Sequence, residues 1–237
     1  MSEPDDVRRA MVVGAHPDDI EFGCAGTVCR WIDDGWDVRY VIVTSGQKGV
    51  QDADQDPEEF GRLRERESLE AAAVCGVTDV TFLGYMDSEV AYGPALLEDI
   101  SRQFRIHRPH RLVAMDPEPL PTERFVNHPD HRFVGQASLD VTMTGGTTAA
   151  IFPELVRREG LQPWRQQEET WLMGPAGGET VVDISETFDR KVRALECHRS
   201  QIGEWDVRTF MAKRLAERGA PHGYAYAESF RVIDYRR

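Results

Sequence analysis

Short apolar runs along the first half of the chain predict a set of buried strands. Residues 10–14 (Ala-Met-Val-Val-Gly) and the β-branched run at 38–44 are the clearest of these. Residues 79–83 and 112–115 predict a third and a fourth strand. The first run is followed by polar residues and the second by Ser45-Gly46, so both strands are expected to run into loops.

Helix signals lie between and after these strands. Residues 26–34 predict a short helix. Pro57–Cys75 carries apolar residues at helical spacing and ends before Gly76, and Pro94–His107 places its apolar residues on one stripe. A further helix is predicted over 131–143. Alternation of strands and helices favours a mainly parallel sheet with helices on both faces, which is an α/β fold.

The second half of the chain is less regular. Its predicted elements are two edge strands (169–172 and 179–184), two helices (187–197 and 209–218) and a closing strand (228–233). Neither an internal repeat nor a low-complexity linker divides the sequence, so one domain over residues 1–237 is expected.

Composition and charge exclude several classes of protein. The 237 residues are 41% hydrophobic and 29% charged, and the apolar runs are only strand length, so no membrane span is expected. Residues 2–6 are polar and acidic, unlike a signal peptide, which predicts a cytoplasmic protein. A net charge of −13 repels polyanions, so nucleic acid is not an expected partner. The four cysteines include no C-x-x-C pair, which argues against a redox dithiol or a zinc knuckle.

Two clusters of histidine and aspartate follow predicted strands. The first strand runs into Ala-His-Pro-Asp-Asp at 15–19, and His-Pro-Asp-His at 128–131 comes after the fourth strand and a proline-rich loop at 117–121. Open parallel sheets bind their ligands at the carboxyl ends of the strands. Imidazole and carboxylate ligands that leave one position for water are typical of a catalytic divalent metal. The sequence therefore predicts a metal-dependent hydrolase.

Spacing assigns roles within the two clusters. His16 and Asp19 lie three apart in a loop that turns into a helix, so both can point at one ion, and His131 is the natural third ligand. His128 would then reach the metal-bound water or the substrate, and Asp18 is left as a base. Taken singly, the clusters have an ordinary explanation as helix caps or solvated side chains. Two clusters that each follow a strand favour the metal site.

These residues resemble the signature motifs of a known family. Residues 15–19, followed by Glu21, Gly23 and Gly26-Thr27, and residues 128–131 are similar to two motifs of the PIG-L/LmbE-like deacetylases. Weaker similarities lie at 64–67, 76–77 and 191–201, and the resemblance runs from residue 12 to about residue 232. The chain departs at 20–22 (Ile-Glu-Phe), where many members have another acidic residue after the aspartate pair.

The resemblance implies a Rossmann-like fold and a zinc-dependent N-deacetylase or amidase that acts on N-acylated amino sugars. Carried onto matching positions, it makes His16, Asp19 and His131 the metal ligands and Asp18 the general base. It makes His128 the residue that stabilises the oxyanion or protonates the leaving amine, and Asp130 a residue that orients a histidine. Members often self-associate, so a homo-oligomer is compatible with the sequence.

Residues outside the two clusters receive weaker predictions. Arg64 is predicted to anchor a substrate hydroxyl or phosphate, the alternative being an ion pair with Glu67. Asp87 is predicted to face the cleft and bind substrate, the alternative being a solvated turn aspartate. His198 is expected to pack or to end a helix. Three tryptophans (Trp164, Trp171 and Trp205) are candidates for stacking on a sugar, although a buried role is commoner.

Alternative functions are weighed against the same residues. A nucleotide-binding module would need a G-x-G-x-x-G turn after the first strand, where this chain has acids that repel phosphate. A catalytically silent sugar-binding protein is disfavoured by the intact ligands and base. An amidase that cleaves a larger amide, such as a thiol–sugar conjugate, needs the same residues as a deacetylase. Zinc is the expected metal, and iron(II) also suits two imidazoles and a carboxylate.

Overall fold

Seven strands form one sheet in the computed structural model, which describes residues 7–50, 52–118, 121, 126–165, 168–174 and 176–236. The strands are β1 (Arg9–Gly14), β2 (Asp37–Thr44), β3 (Asp79–Tyr85), β4 (Arg111–Met115), β5 (Glu169–Met173), β6 (Thr180–Asp183) and β7 (Ala227–Asp234). Their order across the sheet is β3-β2-β1-β4-β5-β7-β6. The first five are parallel, and β7 pairs antiparallel with both β5 and β6.

Helices connect these strands. They are α1 (Asp19–Gly23), α2 (Ala25–Asp33), α3 (Pro57–Cys75), α4 (Pro94–His107), α5 (Pro129–Met143), α6 (Pro153–Arg157), α7 (Phe188–Glu196), α8 (Arg199–Ile202) and α9 (Val207–Gly219). The bounds of α3 follow from local chemistry. The Asp56 side chain accepts hydrogen bonds from two backbone N–H groups of the first turn, and Gly76 ends the helix at a φ of 88°.

The direction in which the chain crosses the sheet reverses between β1 and β4. From β1 the chain moves outward through β2 to β3, and it then returns beside β1 to form β4 and β5. Right-handed crossovers therefore place α2 and α3 on one face and α4 and α5 on the other. The contacts agree, since α2 and α3 both pack against α7, while α4 packs against α5. A crevice opens at the carboxyl ends of β1 and β4, where such folds bind ligands.

The core has two parts. Central strands are buried on both faces, as Val12, Val41 and Val113 illustrate, each with no exposed surface. A smaller cluster, which includes Val192, Leu195 and Met211, joins α7, α8 and α9 beside α1. This second part fixes the C-terminal helices next to the crevice.

The α/β class with a mainly parallel sheet is confirmed, and one strand assignment is wrong. Residues 169–172 were expected at an edge, but β5 lies inside the sheet because β7, from the end of the chain, inserts between β5 and β6. The helix predicted over 26–34 corresponds to α2. The short helix α1, which precedes it, was not predicted. Helix α5 begins at Pro129 rather than at residue 131. Residues 2–6 and 119–120, which carried sequence predictions, lie outside the described residues.

Within the described part of the chain, none of the helices combines the length and the apolarity that crossing a bilayer requires.

Candidate active site

The two histidine clusters meet at the crevice. His16 and Asp18 follow β1, and Asp19 begins α1. Asp18 has a φ of 103°, a left-handed conformation that costs free energy in a residue with a Cβ and is concentrated at functional sites. His128 and His131 lie at the beginning of α5, which follows β4. The reversal of chain direction thus brings together residues that are more than one hundred positions apart.

Three donor atoms converge as a metal site requires. His131 Nε2 lies 3.2 Å from His16 Nδ1 and 3.1 Å from Asp19 Oδ1. His16 Nδ1 lies 3.5 Å from Asp19 Oδ2, which also accepts hydrogen bonds from the backbone N–H groups of Ala15 and His16. Ligands about 2.0–2.1 Å from a tetrahedral ion are roughly 3.3 Å from one another. Each of the three side chains therefore offers a ligand atom at a spacing that fits a divalent ion.

The outward nitrogen of each ring has its own acceptor. His16 Nε2 lies 3.2 Å from Asp130 Oδ2 and 3.3 Å from Asp87 Oδ1. His131 Nδ1 lies 3.2 Å from Asn127 Oδ1, and that oxygen is the acceptor because the Asn127 amide nitrogen donates to two backbone carbonyls. The outward nitrogens are therefore held as donors, and the two inward nitrogens face each other across a position that either a proton or a divalent ion can occupy. Metal-binding histidines are usually oriented in this way.

The surrounding carboxylates favour positive charge between His16, Asp19 and His131. Burial alone would lower the pKa of His16, but hydrogen bonds to Asp130, Asp19 and Asp87 raise it to about 12. Burial would raise the pKa of Asp19, but the charge and hydrogen bond of His131 hold it well below its usual value. Burial also opposes ionisation of Asp87, yet its hydrogen bond with His16 lowers that pKa to about 2. A divalent ion can therefore replace a strongly held proton on His16.

Asp18 is a carboxylate with an unusual environment. Burial raises its pKa to about 6, although the positive charge of Arg64 acts in the opposite direction. Arg64 is buried, and its Nη2 lies 3.2 Å from Asp18 Oδ2 and 2.6 Å from the Pro17 carbonyl oxygen. A carboxylate with a pKa near neutrality suits a general base.

His128 occupies the N-cap position of α5. Its Nδ1 accepts a hydrogen bond from the Asp130 backbone N–H, so the ring proton is on Nε2. Burial, with the charge on His16, lowers its pKa. The ring centroid lies 5.0 Å from that of His16 and 5.5 Å from that of His131. His128 therefore presents a neutral N–H donor beside the three metal-binding side chains.

The structure brings Asp87 and Asp130 to the same side of His16. Asp130 Oδ2 accepts a hydrogen bond from the Ser88 backbone N–H, and Asp87 Oδ1 accepts one from the Ser88 hydroxyl. Asp87 is 6% exposed, so the solvated-turn alternative does not describe it. Sequence reasoning missed Ser88 and Asn127. Asn127 had a usable signal, because it lies four residues before His131 at the start of a helix.

The other residues singled out in the sequence have mostly structural surroundings. The expected alternative partner of Arg64, Glu67, instead accepts hydrogen bonds from the backbone N–H and hydroxyl of Ser200. His198 is fully buried and its Nε2 lies 3.1 Å from Glu21 Oε2. Trp171 is buried and Trp164 is partly buried, with its indole N–H donating to a backbone carbonyl. Trp205 differs, since 46% of it is exposed.

Known proteins resemble the chain over most of its length. Residues 11–142 match the family described as PIG-L: GlcNAc-PI de-N-acetylase. The diacetylchitobiose deacetylase of Thermococcus kodakarensis is 30% identical, over 98% of this chain and 86% of that protein. A 1D-myo-inositol 2-acetamido-2-deoxy-alpha-D-glucopyranoside deacetylase of a Mycobacterium species is 27% identical, over 83% of this chain and 75% of that protein.

A solved structure agrees with the sequence relatives. The N,N′-diacetylchitobiose deacetylase from Pyrococcus horikoshii superimposes with a TM-score of 0.88 at 28% identity, covering 96% of this chain and 84% of that one. The similarity includes both histidine motifs and the strands that carry them, since the family match begins inside β1 and ends inside α5. The chain therefore belongs to the PIG-L family, as its two histidine motifs predicted.

Proposed function

We propose that the protein is a metal-dependent N-deacetylase that removes an acetyl group from the amide nitrogen of an amino sugar. The observation that carries this proposal is the convergence of His16, Asp19 and His131 on one point beside a base, Asp18, with a pKa raised to about 6. Relatives named as deacetylases of diacetylchitobiose and of a GlcNAc–inositol glycoside support an N-acetylated sugar as the substrate.

Two imidazole nitrogens and one carboxylate oxygen are the donor set that we assign to the metal. We propose zinc, with iron(II) as the second choice for the same donors. A divalent ion at this position polarises an amide carbonyl and makes water more acidic. Asp130 and Asp87 orient the His16 ring, and Asn127 orients the ring of His131.

The remaining side chains handle the protons. Asp18 accepts a proton from the attacking water, and its base form is available near neutral pH. His128 donates its Nε2–H to the oxyanion of the tetrahedral intermediate. We assign delivery of a proton to the leaving amine to Asp18, because a neutral His128 that gave up its only ring proton would become an anion.

Arg64 is assigned a positioning role. Its guanidinium donates to the Pro17 and Gly46 carbonyl oxygens and to Asp18, so these contacts hold the base in place. Contact of Arg64 or Asp87 with substrate stays a prediction.

Acetyl release from defined substrates tests the proposal. Protein loaded with zinc, and the same protein stripped by a chelator, would be incubated with N-acetylglucosamine, N,N′-diacetylchitobiose and amino sugars that carry longer acyl groups. Mass spectrometry should detect the free amine only with the metal-loaded protein, and restored zinc should restore activity. Preference for longer acyl groups would favour the amidase alternative. No product from any of these substrates, with one metal ion bound per chain, would overturn the proposal.

A further inference from the structure

A short segment at residues 198–201, which contains most of α8, contacts two walls of the crevice. His198 is fully buried, and its Nε2 lies 3.1 Å from Oε2 of Glu21 in α1. The backbone N–H and the hydroxyl of Ser200 donate to the two carboxylate oxygens of Glu67 in α3, at 2.9 and 2.6 Å. Both carboxylates are buried, so these contacts fix the segment against two helices that carry residues of the candidate active site.

Gln201 of the same segment contacts the loop after β2. Its amide nitrogen donates to the Gly49 carbonyl oxygen at 3.1 Å. The Gly49 N–H donates to the Gly46 carbonyl oxygen at 3.1 Å, and that oxygen also accepts a hydrogen bond from Arg64 Nη1 at 3.0 Å. The turn at 46–49 therefore lies between Gln201 and Arg64.

The two glycines allow this turn to lie directly on the guanidinium. A Cβ atom on Gly46 would overlap Arg64 Nη1, and one on Gly49 would lie 2.6 Å from the same nitrogen. Gly46 also has a φ of 62°, which favours glycine. The Cβ position at Gly49 is 3.1 Å from Gln201 Oε1, so the glutamine and the arginine lie against the same residue.

Arg64 connects the turn to the proposed base. It is 3% exposed, and its Nη2 donates to the Pro17 carbonyl oxygen at 2.6 Å and to Asp18 Oδ2 at 3.2 Å. A planar guanidinium that is held at both Nη atoms has one orientation, and this orientation fixes where the Asp18 carboxylate can lie.

Attachment of the C-terminal helices does not explain these contacts. Ile202, next to the segment, belongs to the smaller core cluster together with Met211 of α9. Arg199 also links α8 to α3, through an ion pair with Glu70 in which both side chains are more than half exposed. Neither attachment requires a hydrogen bond to the turn at 46–49.

We propose that Ser200 and Gln201 are positioning residues for the general base. They hold α3 and the turn at 46–49 in place, and Arg64 in turn fixes Asp18 in the orientation that accepts a proton from water. This inference rests on the proposed deacetylase function. Misplacing a reacting group by about 1 Å can cost about 100-fold in rate, so loss of these contacts should lower kcat and leave substrate binding unchanged.

Deacetylation of N,N′-diacetylchitobiose by single variants tests this role. Gln201→Ala and the isosteric Gln201→Glu both remove the N–H donor to Gly49, so each should lower kcat about tenfold. KM should change by less than about twofold, and Tm and metal content should be unchanged. Arg199→Ala is the matched control, because it breaks only the exposed contact of the same helix, and it should keep full kcat.

Ser200 offers a conservative pair of variants. Ser200→Ala loses the hydroxyl donor to Glu67 and should lower kcat, whereas Ser200→Thr keeps the hydroxyl and should restore it. A fall in Tm that parallels the fall in kcat, or a rise in KM with kcat unchanged, would overturn the positioning role.

A double-mutant cycle identifies the group through which Gln201 acts. If that group is Asp18, Gln201→Ala should lower the residual kcat of Asp18→Asn by less than about twofold, because effects of residues that act together are not additive. A further tenfold loss in the Asp18→Asn background would show that Gln201 acts elsewhere and would overturn the inference.

NMR of the Arg64 guanidinium separates this inference from the proposed reaction. A guanidinium held at both Nη atoms rotates slowly and gives two separate nitrogen-15 signals, which Arg64→Lys would assign by their loss. The signals should merge in Gln201→Ala and stay separate in Arg199→Ala. Signals that are merged in the wild-type protein, or that stay separate in Gln201→Ala, would overturn the positioning role. Merging in Gln201→Ala alone, in a protein whose wild-type form releases no acetate, would support the hold of Gln201 on Arg64 and overturn only the proposed deacetylation.

Discussion

Two buried clusters of charged residues lie on either side of α1, and they differ in how their hydrogen bonds are satisfied. In one, the fully buried Lys191 donates to Glu228 Oε1 at 2.8 Å and to the carbonyl oxygens of Glu21 and Phe22. Glu228 also accepts the N–H groups at 26 and 27, where α2 begins. All three ammonium protons therefore have acceptors, and both carboxylate oxygens have donors.

The candidate active site is not satisfied in this way. Its inward nitrogens, His16 Nδ1 and His131 Nε2, are both acceptors once their outer nitrogens have donated, and they lie 3.2 Å apart. A proton on His16, whose pKa is raised to about 12, or a divalent ion in its place, is needed between them. Burial of charge alone does not separate a structural cluster from a functional one. The candidate active site differs in that its facing nitrogens hold an exchangeable proton where a metal ion can bind, whereas the Lys191 cluster is satisfied by its own fixed groups. The Lys191 cluster also grips the backbone of α1, so it supports the helix that carries Asp19.

Removing a proposed metal ligand should have the largest effect. His131→Ala is expected to lose stoichiometric metal and to lower kcat/KM about 10⁴-fold, equivalent to several kcal/mol of transition-state stabilisation. The fold should persist, because His131 is part of the surface crevice and not of the core. Plasma mass spectrometry measures the bound metal, and exposed His222→Ala serves as the control. A full complement of tightly bound metal in His131→Ala would remove His131 from the ligand set.

Asp18→Asn tests the base without removing a ligand. The variant should keep its metal and lose about 10²–10⁴ in kcat. Burial raises the pKa of Asp18 to about 6, above its value in the unfolded chain, so the wild-type base form is lost as pH falls through this value. Wild-type kcat/KM should therefore decline tenfold per pH unit on the acid side, and bound metal would move this limb to lower pH. An Asn variant that keeps the same limb would assign it to another group.

A substitution in the Lys191–Glu228 cluster should lower the stability of the protein and leave the metal site unchanged. Lys191→Met leaves Glu228 buried without its counter-ion, which costs about 3–5 kcal/mol in the free energy of unfolding. Exposed Lys213→Met on α9 is the control and should change stability little. Denaturant unfolding measures both variants. Metal content per folded molecule should stay at one, and a stable Lys191→Met protein that fails to bind metal would give this cluster a direct role at the site.

Elements marked by local sequence signals could be predicted, whereas those set by tertiary pairing could not. Helices α3 and α4 were predicted with their observed bounds, because their apolar residues repeat at helical spacing and Gly76 marks the end of α3 locally. The position of β5 inside the sheet could not be predicted, since it depends on where β7 pairs. Short α1 was missed because five residues give too little periodicity, and its start depends on the left-handed Asp18.

Within the site, the structure brings together the histidines and aspartates of the two predicted motifs, whereas Ser88 and Asn127, which tertiary contacts add, were not predicted. Nothing in the sequence near Ser88 shows that its backbone N–H reaches Asp130, 42 residues away in the chain. Asp87 was predicted only as one of two alternatives, because its burial against His16 depends on the loop after β3. The satisfied Lys191–Glu228 pair left no local signal at all.

The smallest effect expected at the site comes from Asn127, and it tests the tautomer that makes His131 Nε2 an acceptor. In Asn127→Ala, His131 loses the acceptor of its Nδ1–H, so the ring can carry its proton on Nε2, the atom that faces the ion. Metal affinity should fall about 10–100-fold. Asn127→Asp keeps an acceptor for Nδ1–H but loses the N–H donors to the Asp116 and Glu118 carbonyl oxygens. Competition with a chelator measures both affinities. Retained affinity in the Asp variant would identify ring orientation as the role of Asn127, whereas equal losses would show that the loop contacts matter and the tautomer does not.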